Sequence, residues 1–131
     1  MAKTEQMWTY DRFTPGHVFG SVDIELSSDR QNDWSRVFGP SQGPVPRGMM
    51  VTAMMEAYIV AIQPRPNGNV HVSQDLAFTD VHLDWGDTVT LTVSCADKED
   101  RKGRYWVRFK VDVRRGNNMI MTGLIRSIWA A

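Results

Sequence analysis

A single carboxylate, Glu56, lies within a stretch from residue 49 to 62 that is otherwise almost entirely apolar. A carboxylate that is partly removed from water has a raised pKa and can then act as a general base or a nucleophile near neutral pH. The alternative is a structural role, because buried acids are commonly paired groups. In that case Glu56 lies with Thr52 on the one hydrated stripe of a helix, or pairs with an arginine across a dimer interface. The sequence leaves both interpretations open.

The apolar stretch is preceded by Arg47 and Gly48 and begins at Met49, directly after the Pro/Gly-rich residues 43–46. A helix N-terminus presents free N–H groups and a partial positive charge, so it can polarise a carbonyl group or hold an oxyanion. We therefore expect Gly48 and Met49 to face a ligand, against the simpler interpretation that Gly48 only allows close packing. The Arg47 guanidinium stays protonated and cannot act as a general base. It can bind an anion or a carbonyl oxygen, or remain a surface group.

Three other polar residues are candidates for contact with a substrate. Ser41 and Gln42 lie within residues 39–44, where two glycines and two prolines indicate a loop. They can position water or substrate, but they need a base before they can transfer a proton. His71 lies on a predicted strand beside the long helix, from which it can reach a pocket.

The remaining titratable groups give weaker signals. His17 and His82 are expected to be structural, and no histidine has the spacing of a metal ligand, so no metal site is predicted. Two acids in the same region as His71 are weaker candidates for the site, Asp75 and Asp80. One basic group is expected to belong to a solvated loop: Lys98, Arg101, Lys102 and Arg104.

Composition and charge narrow the class of ligand. The 131 residues include 15 acidic and 15 basic side chains, so no bulk field attracts nucleic acid or anionic lipid. The apolar stretch is too short to span a membrane and is soon followed by Pro64 and Pro66. One cysteine, Cys95, excludes an internal disulfide and a zinc cluster, and it fits a reducing cytoplasm. Residues 1–6 lack the apolar core of a secretory signal, so we expect a cytoplasmic protein.

Length predicts a single domain over residues 1–131, which is enough chain to bury a sizeable core. Its first part, residues 1–12, is expected to form a loose N-terminal arm, although Trp8 and Tyr10 could dock it on the body.

The residue periodicity after the arm predicts two helices and five strands. A strand at 17–25 is followed by a short helix at 28–38. The long helix at about 48–62 is apolar nearly all round, so other elements must wrap it. Four strands follow it, at residues 70–78, 88–95, 104–114 and 119–129, with a charged loop at 96–103. One helix followed by antiparallel strands is an α+β architecture, and a sheet around one central apolar helix is the hotdog fold.

Four segments, in this order, resemble motifs of one enzyme family. Residues 14–21 (TPGHVFGS) resemble its opening "GxxF" strand, and residues 34–39 (WSRVFG) resemble its short helix. Residues 45–50 (VPRGMM) resemble "IAHGML" at the start of the central helix. Residues 75–81 (DLAFTDV) with 85–89 (WGDTV) resemble "xxRFxxPVxxGDTL". The chain thus resembles the MaoC-like branch of the hotdog superfamily, the (R)-specific enoyl-CoA hydratases and 3-hydroxyacyl-thioester dehydratases.

This resemblance implies a substrate, a site and an assembly. The substrate is an acyl thioester carried by CoA or by an acyl carrier protein, held at Arg47, Gly48 and Met49, with no other cofactor. The assembly is a homodimer or higher hotdog oligomer, or a hetero-oligomer with a catalytic hotdog subunit. Strands at the sheet edge pair between protomers, and the pocket forms where one helix N-terminus meets the partner chain.

The chain also departs from the family. MaoC-like hydratases carry an Asp and a His, spaced as in "DxNPxH", between the short and the central helix, whereas residues 39–46 here contain neither. Arg47 stands in place of the His of "AHG". The implied hydratase or dehydratase activity is therefore atypical or reduced.

Two alternative functions follow from the same segment. Hotdog thioesterases of the "HGGxxxxxxD/E" type use an acid nine residues after the His, and Glu56 follows Arg47 at that spacing, with Met49 in place of the second Gly. The first alternative is therefore an acyl-CoA thioesterase that uses Glu56. The second is a non-catalytic hotdog subunit that binds the acyl thioester.

Overall fold

Helix α2 (Arg47–Ala61) is the central element of the computed structural model, which describes residues 6–130. Its buried side chains recur every three or four residues and so form one face. They are Met49, Met50, Ala53, Met54, Ala57 and Tyr58. The long helix predicted at 48–62 is confirmed, with each end displaced by one residue. No helix within the described residues is long and apolar enough to cross a membrane.

Five antiparallel strands form one sheet against this helix. The first two strands along the chain are β1 (Val18–Glu25) and β2 (Val70–Phe78). The others are β3 (Thr88–Arg101), β4 (Arg104–Arg115) and β5 (Asn118–Trp129). Their spatial order is β1-β3-β4-β5-β2, so β1 and β2 are the edges. The α+β architecture that the sequence predicts is confirmed.

The inner face of the sheet forms the core together with α2. Every second side chain is buried along β3, at Val89, Leu91, Val93 and Cys95. The same alternation on β4 buries Val107, Phe109, Val111 and Val113. Burial raises the pKa of the Cys95 thiol, and the nearby Asp97 carboxylate adds to the effect. The thiol therefore stays protonated and packs as a small apolar group.

The prediction of a charged loop at residues 96–103 is wrong. β3 continues to Arg101, and a two-residue turn leads into β4. The chain stays extended because its charged side chains find partners across the surface: Asp97 forms an ion pair with Arg108 on β4. The Lys98 ammonium, expected to be solvated, donates to a backbone carbonyl of the N-terminal segment at 3.1 Å.

The N-terminal segment is docked on the body from Trp8 onward, which corrects the expectation of a loose arm. Residues 1–5 of that arm lie outside the described part of the chain. The Trp8 N–H donates to the Pro64 carbonyl at 2.9 Å, and the Trp129 indole donates to the Trp8 carbonyl at 2.6 Å. The Tyr10 ring stacks on a tyrosine ring of β4 with centroids 4.5 Å apart.

Helix α1 (Ser28–Phe38) occupies the predicted position. The Ser27 hydroxyl accepts a hydrogen bond from the Arg30 N–H at 3.3 Å, a side-chain cap that favours helix initiation. None of the residues of α1 is buried, so the helix lies on the outside of the body.

Gly123 on β5 allows α2 to lie close to the sheet. A Cβ atom at this position would lie 2.3 Å from Met54 Sδ and 3.6 Å from Leu76 Cδ2. The Met54 thioether therefore occupies the space that any larger residue at position 123 would need.

We expect Gly123→Ala to lower the free energy of unfolding by about 1–3 kcal/mol, the usual cost of overpacking a core. Urea denaturation measures this loss. The double variant with Met54→Ala should lose less than the sum of the two single variants, because the smaller side chain frees the contested space. Strictly additive losses would contradict this packing.

Candidate functional site

The N-terminus of α2 presents free backbone donors. Its cap residue, Pro46, makes no side-chain hydrogen bond to the helix. The Met49 N–H donates to the Pro46 carbonyl at 3.0 Å. Among residues 6–130, the N–H groups of Arg47 and Gly48 donate to no protein acceptor. Because both residues are exposed, these two donors are accessible to a ligand oxygen.

The Arg47 side chain leans over β2. Its guanidinium carbon lies 4.9 Å from the centroid of the Phe78 ring, a cation–π contact. Arg47 also lines a cavity of about 30 Å³, which is enough for one or two water molecules. The other polar groups of the lining are Thr79 and His82. Its apolar lining comes from Val45, Met50, Phe78, Val81, Leu83 and Ile120.

Two loops meet at this cavity through backbone hydrogen bonds. The Val45 N–H donates to the Leu83 carbonyl at 2.7 Å, and Pro44 forms an antiparallel bridge with Asp84. His82 comes directly before Leu83 on the second of these segments and lines the cavity together with Arg47. The segment before α2 and the segment after β2 are thereby held side by side.

An ion pair between Asp87 and Arg115 and its hydrogen bonds hold the loop after β2 in place. The Asp87 carboxylate accepts hydrogen bonds from the Asp84 N–H at 2.8 Å and from the Arg115 guanidinium at 2.9 Å. The same Arg115 nitrogen donates to the His82 carbonyl at 3.2 Å. The Asp84 N–H, followed by the Arg115 guanidinium, lowers the pKa of the Asp87 carboxyl. Asp87 therefore stays ionised and orients Arg115 toward the His82 backbone.

Gly48 packs against α1. A Cβ atom on Gly48 would lie 2.9 Å from Cη2 of Trp34, so the indole occupies the space beside the glycine. This contact is the close packing that the simpler interpretation of Gly48 expects. The Met49 side chain is 6% exposed and points into the core. Only the backbone at these two positions can meet a ligand.

The Glu56 carboxylate is paired within the same chain. It accepts two hydrogen bonds from the Arg30 guanidinium, at 2.9 and 3.0 Å. The Glu56 side chain is 42% exposed and that of Arg30 is 28% exposed. An α-helix advances about 13 Å over nine residues and turns by about two and a half turns, so Arg47 and Glu56 point to opposite faces. The two do not converge on one site within this protomer.

The other three candidates lie away from the Arg47 cavity. The Ser41 hydroxyl accepts a hydrogen bond from the Trp85 indole at 3.3 Å, and Gln42 is exposed. His71 is exposed at the start of the edge strand β2. Seven residues separate it from Phe78, which corresponds to about 20 Å along a strand. None of these three side chains lines the cavity.

From the sequence, His82 is expected to have a structural role. In the fold it lines the cavity at the N-terminus of α2. Its spacing to other histidines carries no signal, because the residue with which it shares the cavity, Arg47, lies 35 positions earlier in the sequence. Only the antiparallel bridge between the two loops reveals the juxtaposition.

A larger cavity of about 330 Å³ lies on the outer face of the sheet. Two of its arginines are already neutralised, Arg108 by Asp97 and Arg126 by Asp75. It contains none of the candidate site residues, and its charged groups hold one another on a solvated surface. The small cavity at α2 is the better candidate because Arg47, at the start of the helix, and His82 both line it. Within residues 6–130, no group of three His, Cys, Asp or Glu side chains is arranged to hold a metal ion.

Solved structures identify the fold. The (R)-hydratase from A. caviae involved in PHA biosynthesis superposes with a TM-score of 0.71 at 15% identity, over 92% of this chain and 99% of that one. The fluoroacetyl-CoA thioesterase FlK gives a TM-score of 0.66 at 19% identity, over 88% and 87%. The chain has the hotdog fold.

A third structure of the same fold is the HadBC (3R-hydroxyacyl-ACP dehydratase) complex from Mycobacterium tuberculosis, with a TM-score of 0.63 at 10% identity over 82% of this chain and 90% of that one. No protein-family model matches the sequence, and no curated protein matches it. At these identities the likeness establishes the architecture. The hotdog fold expected from the sequence is therefore confirmed.

The lowered pKa of Asp87 predicts how acid affects this loop. A carboxyl whose pKa is lower in the folded than in the unfolded chain stabilises the fold above its unfolded value, here 3.8. That contribution is lost as the pH falls from 3.8 through the folded pKa. We expect Asp87→Asn to destabilise the protein at pH 7 and to have less effect at pH 3, as measured by urea unfolding at both pH values. An equal loss at both would refute the assignment.

Proposed function

We propose that this hotdog protein binds an acyl thioester of CoA or acyl carrier protein and acts on it as a hydratase or dehydratase, with a catalytic arrangement that departs from the usual one. The observation that carries the proposal is the free N-terminus of α2 beside Arg47. Hydration of an enoyl thioester moves negative charge onto the carbonyl oxygen, and preorganised donors stabilise that charge. The likeness to an (R)-hydratase over nearly the whole of both chains supports the same reaction class.

The roles follow from the chemistry of each group. The N–H groups of Arg47 and Gly48 are suited to the thioester carbonyl oxygen, since they lack protein acceptors among the described residues. The Arg47 guanidinium adds positive charge at the same place and cannot take up a proton. The close contact of Trp34 with Gly48 fixes the position of these donors relative to α1.

We propose that a second hotdog subunit completes the site. β2 is an edge strand, and two of its valines are strongly exposed, Val70 at 53% and Val72 at 44%. On α2, Ile59 is 49% and Val60 is 58% exposed. Apolar side chains on an unpaired edge and on the neighbouring helix favour pairing with another sheet. The partner is a second copy or a different hotdog subunit.

We expect the protein, together with any hotdog subunit that co-purifies with it, to hydrate crotonyl-CoA, measured by loss of the enoyl-thioester absorbance. Arg47→Ala should lower kcat/KM about tenfold or more, because a hydrogen bond to a charged group contributes roughly 1.5–3 kcal/mol. Arg36→Ala is the matched control, since Arg36 is exposed on α1 and forms an ion pair with Asp33 on the same helix. No hydration of crotonyl-CoA by any preparation, or equal rates for both variants, would argue against the proposal.

The thioesterase alternative depends on Glu56. A carboxylate on α2 and the likeness to a thioesterase favour it, whereas the ion pair with Arg30 occupies both carboxylate oxygens. We expect Glu56→Gln to leave hydration of crotonyl-CoA within about threefold of the wild-type rate, because only a partly exposed ion pair is lost. Release of free CoA thiol from a panel of acyl-CoAs that stops in Glu56→Gln would instead establish the thioesterase.

The binding-subunit alternative depends on residues 39–46, which contain no Asp and no His. It is distinguished by the same assays. Absence of both activities in the isolated chain, with hydration restored by a co-purifying hotdog partner, would establish a non-catalytic subunit.

A further inference from the structure

We infer that His82 is the acid–base residue of the proposed hydratase site, in the role that the missing Asp/His pair would fill. This inference rests on the proposed function and adds to it the group that moves the proton. Three observations from different parts of the structure support it.

The first observation is position. The bridge between Pro44 and Asp84 and the hydrogen bond from Val45 to Leu83 hold the loop that carries His82 against the segment before α2, and His82 lines one cavity with Arg47. His82 reaches this helix end from the loop after β2.

The second observation is the composition of the cavity. Of its three polar lining residues, Arg47 is a permanent cation and the Thr79 hydroxyl already donates to the Met119 carbonyl at 2.7 Å. His82 is the one described lining residue whose side-chain type exchanges protons near neutral pH. The volume of about 30 Å³ suits the water molecule that hydration consumes.

The third observation is the set of hydrogen bonds that hold the loop carrying His82. Arg115 donates to the His82 carbonyl at 3.2 Å and is itself held by the Asp87 carboxylate. Thr79 closes the other end of the loop, with its N–H donating to the Ile120 carbonyl at 3.0 Å. A loop fixed at both ends holds the His82 backbone in place, so that its exposed side chain borders the cavity.

A single imidazole can carry out both proton transfers of the reaction. Neutral His82 takes a proton from water as the oxygen bonds to C3 of the enoyl thioester. The C2–C3 π electrons move toward the thioester, and the carbonyl oxygen becomes an enolate at the N–H groups of Arg47 and Gly48. The imidazolium returns the proton to C2, the carbonyl re-forms, and one water has been added. Dehydration is the reverse.

The test measures hydration of crotonyl-CoA by His82→Ala, with His17→Ala as the matched control. His17 precedes β1 and contacts the rings of Trp8 and Phe19, far from the α2 N-terminus. General acid–base catalysis contributes about 10²–10⁴-fold, so kcat of His82→Ala should fall by at least about 100-fold with little change in KM. Added imidazole should restore part of the rate in His82→Ala and have no effect on the control, which a merely structural role would not produce.

The outcomes separate the two proposals. An active wild type with His82→Ala at the same kcat, or a slow His82→Ala that imidazole does not rescue, overturns the role of His82 and leaves the hydratase proposal standing. A wild type that hydrates no enoyl thioester overturns both. If His82→Ala fails to fold by circular dichroism, His82→Asn takes its place in the same assay, since the amide keeps the polar volume without proton exchange.

Discussion

Burial of α2 against the inner face of the sheet is the constraint on which the rest of this structure depends. The helix is apolar on almost every side, so it is stable in water only where a sheet covers it. The helix lies so close to the sheet that a side chain at Gly123 on β5 would collide with the Met54 thioether. Because the helix is fixed in this way, the location of its N-terminus relative to the ends of the strands is also fixed. The candidate site is a consequence of that position.

The site is assembled from segments that are remote in sequence. The residues before α2 contribute backbone donors and Arg47, and the loop after β2 contributes His82. Backbone hydrogen bonds join the two, and the Asp87–Arg115 pair supports the loop from behind. The segment before α2 contains no Asp and no His in residues 39–46, yet a titratable side chain, His82, lines the cavity at this helix end. A second strand–loop unit supplies an imidazole there.

Much of the fold could be predicted from the sequence because its signals are local. The alternation along β3 and β4 and the apolar run of α2 are read within a few residues. The extension of β3 to Arg101 was missed because charged residues resemble a loop until their cross-strand partners are known, as with Asp97 and Arg108. The docking of the N-terminal segment could be predicted only in part, for the same reason. The Trp8 N–H donates to the carbonyl of Pro64, which is distant in the sequence.

The site was less predictable than the fold. The sequence marks Glu56 as unusual, yet its partner Arg30 lies 26 positions earlier, and the pairing within one chain depends on how α1 packs on α2. The sequence points to Arg47 as a candidate because a helix start has local markers. The sequence does not point to His82, because its loop meets the segment before α2 through the Pro44–Asp84 bridge, and such a contact leaves no periodic pattern in the sequence.

The contact between Trp34 and Gly48 links two positions that would otherwise vary separately. The indole fills the volume beside the glycine, so a larger residue at position 48 requires the indole to move or a smaller residue at position 34. Sequence change at the start of α2 is therefore coupled to sequence change in α1. A combinatorial library that randomises the helix start alone would be depleted of folded members, whereas one that varies both positions together would sample alternative shapes for this end of the helix.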